Sequence, residues 1–209
     1  MSNSVGQNGE ENKIAEALAR IRSIRQQLGV SRFKNIAWAD FQIGDERATV
    51  IAMNLEKIKE RLIALKLASP NEIEGCTHQE VIELEQQLGV KLPSSYQEFL
   101  LLMGFGAGQF LRGSDCFSQH LLDLQEAASE LLEENHFPQS LPDDSFVFLM
   151  HQGYQFSFFR LLEGEDPPTY SYCEGETLTS FIKSHSRFSE FLATEIDLHY
   201  KYLMTLAAQ

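Results

Sequence analysis

Several groupings of residues in this sequence have the composition of a reactive site. Cys173 and His151 offer a thiol and an imidazole, which make a nucleophile and its base if the fold brings their strands together. Ser180 and Lys183 have the Ser-x-x-Lys spacing of serine acyl-enzymes. Gly104-Phe105-Gly106-Ala107-Gly108 is glycine-rich in the manner of a phosphate-cradling loop. Asp143-Asp144 and Glu163, Glu165 and Asp166 crowd carboxylates into two short acidic loops. Each grouping stops short of a complete motif. Nothing in the sequence supplies a third group to orient the imidazole. No Ser-Asp-Asn or Lys-Thr-Gly follows Ser180, which reads better as a helix cap. The glycine run follows a helical pattern, whereas a dinucleotide loop follows a strand and opens a helix. The six histidines form no His-x-x-x-His or His-Glu-x-x-His pair, and the acidic loops lack the alternating ligands of a calcium site. No metal, no cofactor and no catalytic centre is expected.

One stretch carries more chemistry than a turn requires. His151, Gln152, Tyr154 and Gln155 bring an imidazole, two amides and a phenol to one connection, and tyrosine is enriched at interface anchors. The residues read as candidate partner contacts are therefore Asp143, Asp144, His151, Gln152, Tyr154, Glu163, Glu165 and Asp166. The competing reading makes the acids solvated turn residues and Tyr154 a core residue whose hydroxyl is satisfied by a neighbour.

Charge divides the chain. Of the 209 residues, Met1 to Ser69 carry 11 basic and 8 acidic side chains, while Pro70 to Gln209 carry 6 basic and 22 acidic ones, net −16. The seam falls at Ser69-Pro70-Asn71, where proline disfavours helical geometry at the residue before it. A surface this acidic repels nucleic acid and anionic membrane and steers a basic partner inward. Hydrophobic residues at 43% and charged residues at 22% make a globular composition. No apolar stretch approaches the roughly 20 residues of a spanning helix, and the N-terminus has no apolar core behind a basic start. Three cysteines without a Cys-x-x-Cys pair read as reduced thiols, so a cytoplasmic protein is expected.

The elements follow from periodicity. Residues 1–10 form a polar tail, and residues 11–69 read as a helical pair. Its first helix carries Ile14, Leu18, Ile21 and Leu28 and closes at Gly29; its second starts at Asp45 and runs towards Leu67 on Ile51, Leu55, Ile58, Leu62 and Leu65. The pair should dock on the acidic segment or on a second copy, giving a homodimer. Residues 70–209 read as one α+β domain, with a mostly antiparallel sheet flanked by helices. Thr77 and Glu80 are spaced as a capping box, Gly89 stops that helix, and Pro93 suits the first position of the next. Tyr96, Phe99, Leu100 and Met103 make that next helix's buried stripe, before an extended Gln109-Phe110-Leu111. A further helix spans about Leu124 to Glu134. Alternation predicts a hairpin over Phe146 to Arg160, with Gly153 supplying a positive φ, and a strand over Thr169 to Cys173. Val147, Leu149 and Phe159 fall opposite the hairpin's main apolar row, so both faces should be covered. Helices anchored by Phe181, Ile182, Phe188, Phe191, Leu192, Ile196 and Leu203 close the chain.

The stretch QEVIELEQQLGVKLPSSYQEFLLLMGFGAG, Gln79 to Gly108, resembles the opening of the SUKH superfamily. The residues that carry the likeness are Glu85, Leu88, Gly89, Leu92, Pro93, Tyr96, Phe99, Leu100 and Gly104. Leu141-Pro142-Asp143-Asp144, FVFLMHQGYQFSFF (Phe146 to Phe159), DPPTYSYCEGE (Asp166 to Glu176) and the helices at Phe181 and Phe188 to Leu192 follow in the same order. The likeness runs from roughly Glu72 to Leu198. It implies a single α+β domain without known catalytic activity that binds partner proteins, in bacteria typically toxin domains whose active sites it blocks. It transfers no ligand site residue by residue and does not explain residues 1–69. The expected function is a protein-binding module, plausible as an immunity protein against a basic, nuclease-like toxin. The alternatives are a regulatory scaffold assembling through its N-terminal helices, or a Cys/His or Ser/Lys hydrolase.

Overall fold

Local stop signals set most element boundaries. The computed structural model describes residues 55–175 and 179–207, all within one unit, residues 50–209. The tail, the helix expected at Ile14 to Gly29 and the start expected at Asp45 lie outside the described residues. Helix α1 (Leu55–Ala64) is followed by strand β1 (Ile73–Glu74), α2 (His78–Leu88), α3 (Ser94–Met103), β2 (Gly106–Ala107), β3 (Ser114–Asp115) and α4 (Leu121–Glu134). Strands β4 (Ser145–His151), β5 (Gln155–Arg160), β6 (Thr169–Cys173) and β7 (Ile182–His185) lead to the long helix α5 (Phe188–Ala207). The fold is α+β.

Thr77 and Glu80 form the capping box: the Glu80 N–H donates to the Thr77 hydroxyl at 3.2 Å, and the Thr77 N–H donates to the Glu80 carboxylate at 2.7 Å. Gly89, at φ 67°, closes α2 in the left-handed conformation, with the Val90 N–H donating back to the Glu85 carbonyl at 3.1 Å. The same closure ends α1 at Lys66 (φ 59°), where Leu67 donates to Leu62 at 2.9 Å and Lys66 to Ile63 at 3.0 Å. The expected run to Leu67 is thus corrected: α1 stops at Ala64, short of Pro70, because the closure turns both Leu62 and Leu67 into the core at 0% exposure. Pro93 is likewise not the first helical residue but the cap before Ser94, with ψ 147°.

The core continues across the charge seam. Leu62, Leu67 and Ala68 are buried, the Gln109 N–H donates to the Leu67 carbonyl at 2.7 Å, and Arg61 pairs with Asp197 of α5. Gln109-Phe110-Leu111 is a turn, not an extended segment, and Leu111 takes a left-handed φ of 56° that sends Phe110 and Leu111 inward.

The main sheet has five strands in the order β3-β4-β5-β6-β7, each antiparallel to the next; β1 pairs with β2 separately. The hairpin and β6 span the residues that alternation gave them, but Phe159 opposes Phe146 and Leu149 opposes Ser157, so both lie on the face of Phe146 and not, as expected, opposite it. The hairpin's register breaks between Val147 and Leu149, so Val147 opposes Phe158 and Met150 opposes Phe156. Opposed residues share a face, so this bulge moves Met150 from the row of Phe146 and Phe148 to that of Val147. The expected closing helices are corrected at their start: Ile182–His185 is the edge strand β7, paired with β6, and Ser180 precedes a strand instead of capping a helix. Four residues are too few for periodicity to separate the two states; pairing with β6 decided it.

One face of the sheet meets α3 and α5 through rings. Tyr96 is fully buried, with ring centroids at 5.4 Å from Phe99, 5.3 Å from Phe146, 5.3 Å from Phe159 and 5.2 Å from Phe188. The other face carries Phe156, Phe158, Tyr170 and Tyr172, covered by α4 beside β4 and by the rings of Phe137 and Phe181. Glu85 ties the α2–α3 corner by accepting from the Leu92 N–H at 2.9 Å and from Gln97 Nε2 at 2.9 Å. The residues of the family likeness are therefore largely architecture.

The Tyr96 hydroxyl is buried without a hydrogen-bond partner. Tyr96→Phe is expected to stabilise the domain by up to about 1 kcal/mol, because it removes an unsatisfied polar group without changing shape. Tyr96→Ala should cost about 3–5 kcal/mol by opening a cavity among five aromatic contacts. Urea titration followed by circular dichroism measures both.

Candidate partner-binding site

The hairpin separates the sequence candidates into two groups. Asp143 and Asp144 precede β4, and Glu163 follows β5, at the end where Ser145 opposes Arg160. His151, Gln152 and Tyr154 form the connection at the other end, roughly 20 Å away along strands of six or seven residues. At that end Gln152 (φ 47°) and Gly153 (φ 70°) both turn left-handed, and the Tyr154 N–H donates to the His151 carbonyl at 3.2 Å. Gln152 is exposed; Tyr154 is half-buried, edge-on to His151 at 5.8 Å.

Carboxylates of the second acidic loop serve helix starts. The Ser94 N–H donates to the Glu165 carboxylate at 2.9 Å and the Ser95 N–H to the Glu165 carbonyl at 3.0 Å, so Glu165 caps α3 from 71 residues away. Asp166 does the same for α5, accepting from the Ser189 N–H at 2.9 Å and the Ser189 hydroxyl at 2.5 Å. Both arrangements place negative charge at a helix N-terminus, where unpaired N–H groups point. Glu163 accepts from the Tyr170 hydroxyl at 3.2 and 3.1 Å. Asp144 accepts from Arg160 Nε at 2.8 Å, while Asp143 is exposed.

Asp144 and Glu163, through their contacts with Arg160 and Tyr170, border a shallow cleft of about 190 Å³ lined by Gln139, Pro142, Phe158, Arg160, Tyr170, Ser180 and Phe181. Beside it, α4 presents a ridge that sequence reasoning missed. Asp123, Glu126, Glu130 and Glu133 recur at helical spacing on the side away from buried Leu121, Leu124, Ala128 and Leu131. Among the described residues, no ion pair joins those four to a cation. The readable signal was there: no Lys or Arg occurs between Arg112 and Arg160.

The reactive pairings are kept apart. His151 and Cys173 both oppose Gln155, from the strands on either side of it. Two strand spacings set them about 10 Å apart, too far for the thiol to hand its proton to the ring. The His151 Nδ1 instead meets the Ser114 hydroxyl at 2.8 Å. Strand geometry in β7 removes the shared helical face that Ser180 and Lys183 would need. Two glycines of the run serve packing: a Cβ on Gly104 would lie 2.4 Å from the Cys76 sulfur, and one on Gly108 (φ 62°) 2.9 Å from the Ala68 Cα. Among the described residues no group of three or more His, Cys, Asp or Glu is placed to hold a metal ion, and no helix is long and apolar enough to cross a membrane.

The fold class is α+β, an antiparallel sheet with helices on both faces and a strongly acidic surface over one of them. Residues 75–194 match the SMI1 / KNR4 family (SUKH-1), and the chain belongs to that family. Membership fits an immunity or regulatory module. No curated protein matches the chain.

A buried ionisable cluster lies on the opposite sheet face, under α5. Glu195 is 2% exposed; its Oε2 lies 3.6 Å from His199 Nδ1, and its Oε1 has no partner. Burial pushes the Glu195 carboxyl up to about 8 and holds His151 and His199 below the usual histidine value. The native state therefore keeps a proton on Glu195 that the unfolded chain, at 4.5, releases. Its stabilising contribution is complete below 4.5 and is lost as pH rises through 8, with a slope approaching about 1.4 kcal/mol per pH unit. The histidines act in the other direction, costing stability as pH falls below 6.5. Melting temperature is thus expected to peak between pH 4.5 and 6.5, where the two effects oppose, and Glu195→Gln should abolish the decline above that peak.

Proposed function

We propose that this protein is a non-catalytic, cytoplasmic binding module that docks on a basic protein partner, as an immunity protein covering a cognate nuclease-like toxin domain. Family membership supports the class, and the acidic ridge of α4, which no cation among the described residues pairs, supports the sign of the partner. Proteins that act on nucleic acid carry basic grooves for phosphate, so a carboxylate-rich surface is complementary to the region such a partner must keep open. Charge of one sign on one face also raises the encounter rate, by 10-fold or more at low salt. The candidate contacts Asp143, Asp144, His151, Gln152, Tyr154, Glu163, Glu165 and Asp166 divide on this reading. Those beside the cleft and α4 face the partner; Glu165 and Asp166 position the helices behind it.

The test is to express candidate basic, nuclease-like domains from neighbouring open reading frames and to measure their binding to this chain by surface plasmon resonance at several salt concentrations. The association rate should fall steeply with salt, and Asp123→Lys with Glu126→Lys and Glu130→Lys should lower it at least about 10-fold. Salt-independent association, or the absence of any protein partner in low-salt co-purification from the native host, sinks the reading.

A further inference from the structure

We propose that the cleft over Phe158, Tyr170 and Phe181 seats one arginine side chain of the partner, flat on the rings with its guanidinium turned to Glu163; this rests on the basic-partner reading above. The wall is suited to a planar cation. Phe158 stacks on Tyr170 at 5.3 Å and meets Phe181 edge-on at 4.9 Å, and both Tyr170 and Phe181 keep part of their surface in solvent. A guanidinium within about 6 Å of such ring faces is attracted by their negative charge density.

The carboxylates at the rim have acceptor capacity left over. Glu163 directs both oxygens at the single Tyr170 hydroxyl, and Arg160 Nη1 stands 4.0 Å off, beyond hydrogen-bond distance. Asp144 gives Oδ1 to Arg160 Nε at 2.8 Å, while its Oδ2 is buried without a partner. Arg160 can therefore turn into a two-point contact with Asp144, a geometry that guanidinium and carboxylate favour, and leave Glu163 to an incoming cation. At the rim Asp144 and Glu163 engage the lining side chains Arg160 and Tyr170, and exposed Asp143 precedes Asp144, so carboxylates outnumber the cations Arg160 and Lys183 there and disfavour an acidic occupant. Leu162, 84% exposed beside Glu163, adds an apolar contact for the stem of the arriving side chain. A lysine fits less well, since its compact ammonium has no plane to stack.

The probes are N-acetyl-arginine amide, its lysine counterpart and N-acetyl-aspartate amide, each titrated into the full chain while aromatic NMR signals are followed. Arginine should shift the Tyr170 and Phe181 rings, lysine should do so several-fold more weakly, and aspartate should not. Glu163→Gln should weaken the arginine response about five-fold. Arg160→Gln should strengthen it, and amide spectra of both variants report whether they remain folded. Absent ring shifts with arginine, an equal response to aspartate, or an unchanged response in folded Glu163→Gln overturns the proposal. Partner binding lost on reversing the α4 ridge but retained in Glu163→Gln would overturn the arginine seat alone and leave the docking function standing.

Discussion

The β4–β5 hairpin is apolar on both faces, and that constraint organises the rest of the domain. Phe146, Phe148 and Phe159 look one way and Val147, Met150, Phe156 and Phe158 the other, all of them buried. Each such side chain is worth roughly 1.5–3 kcal/mol when removed from water, so neither face can be left wet. Helices α3 and α5 cover the first with Tyr96, Phe99, Phe188 and Phe191. On the second, α4 covers β4, while among the described residues the rings of Phe137 and Phe181 lie over Tyr172 of β6 and Phe158 of β5. The cleft is the remainder of that unequal coverage.

The acidity of the domain has two physical uses. Glu80, Glu85, Glu165 and Asp166 accept backbone N–H groups at helix starts and at the α2–α3 corner, where a carboxylate satisfies donors no backbone carbonyl reaches. These charges belong to the fold. Among the described residues the row Asp123, Glu126, Glu130 and Glu133 accepts nothing comparable, and like charges along one helix face repel. A basic partner would relieve that repulsion on binding. The buried Glu195 differs again: burial beside the His199 imidazole keeps it protonated near neutrality, so it adds no charge to the surface.

How much was legible follows the range of the interaction involved. The capping box at Thr77, the stop at Gly89, the stripe Tyr96-Phe99-Leu100-Met103, the hairpin and the strand Thr169–Cys173 all rest on contacts a few residues apart or on a two- or 3.6-residue period. The charge of the candidate site was legible for the same reason, since composition needs no geometry. The α4 ridge is less legible because its carboxylates stand three and four residues apart and meet only once the helix forms, whereas those of the acidic loops are adjacent in sequence.

What the sequence by itself determined is therefore the local grammar: where helices start and stop, which strands alternate, and the sign of the surface. Only the tertiary structure decided the rest. It made Ile182–His185 a strand because β6 offered an edge, moved Met150 across the sheet by one bulge, and capped the N–H groups of Ser94 and Ser95 from Glu165, leaving Pro93 outside the helix. It also set the two groups of candidate residues at opposite ends of one hairpin and kept Cys173 two strands from His151. Each of these depends on partners that lie far along the chain, and the position of such a partner is not encoded in any window that contains only one of them.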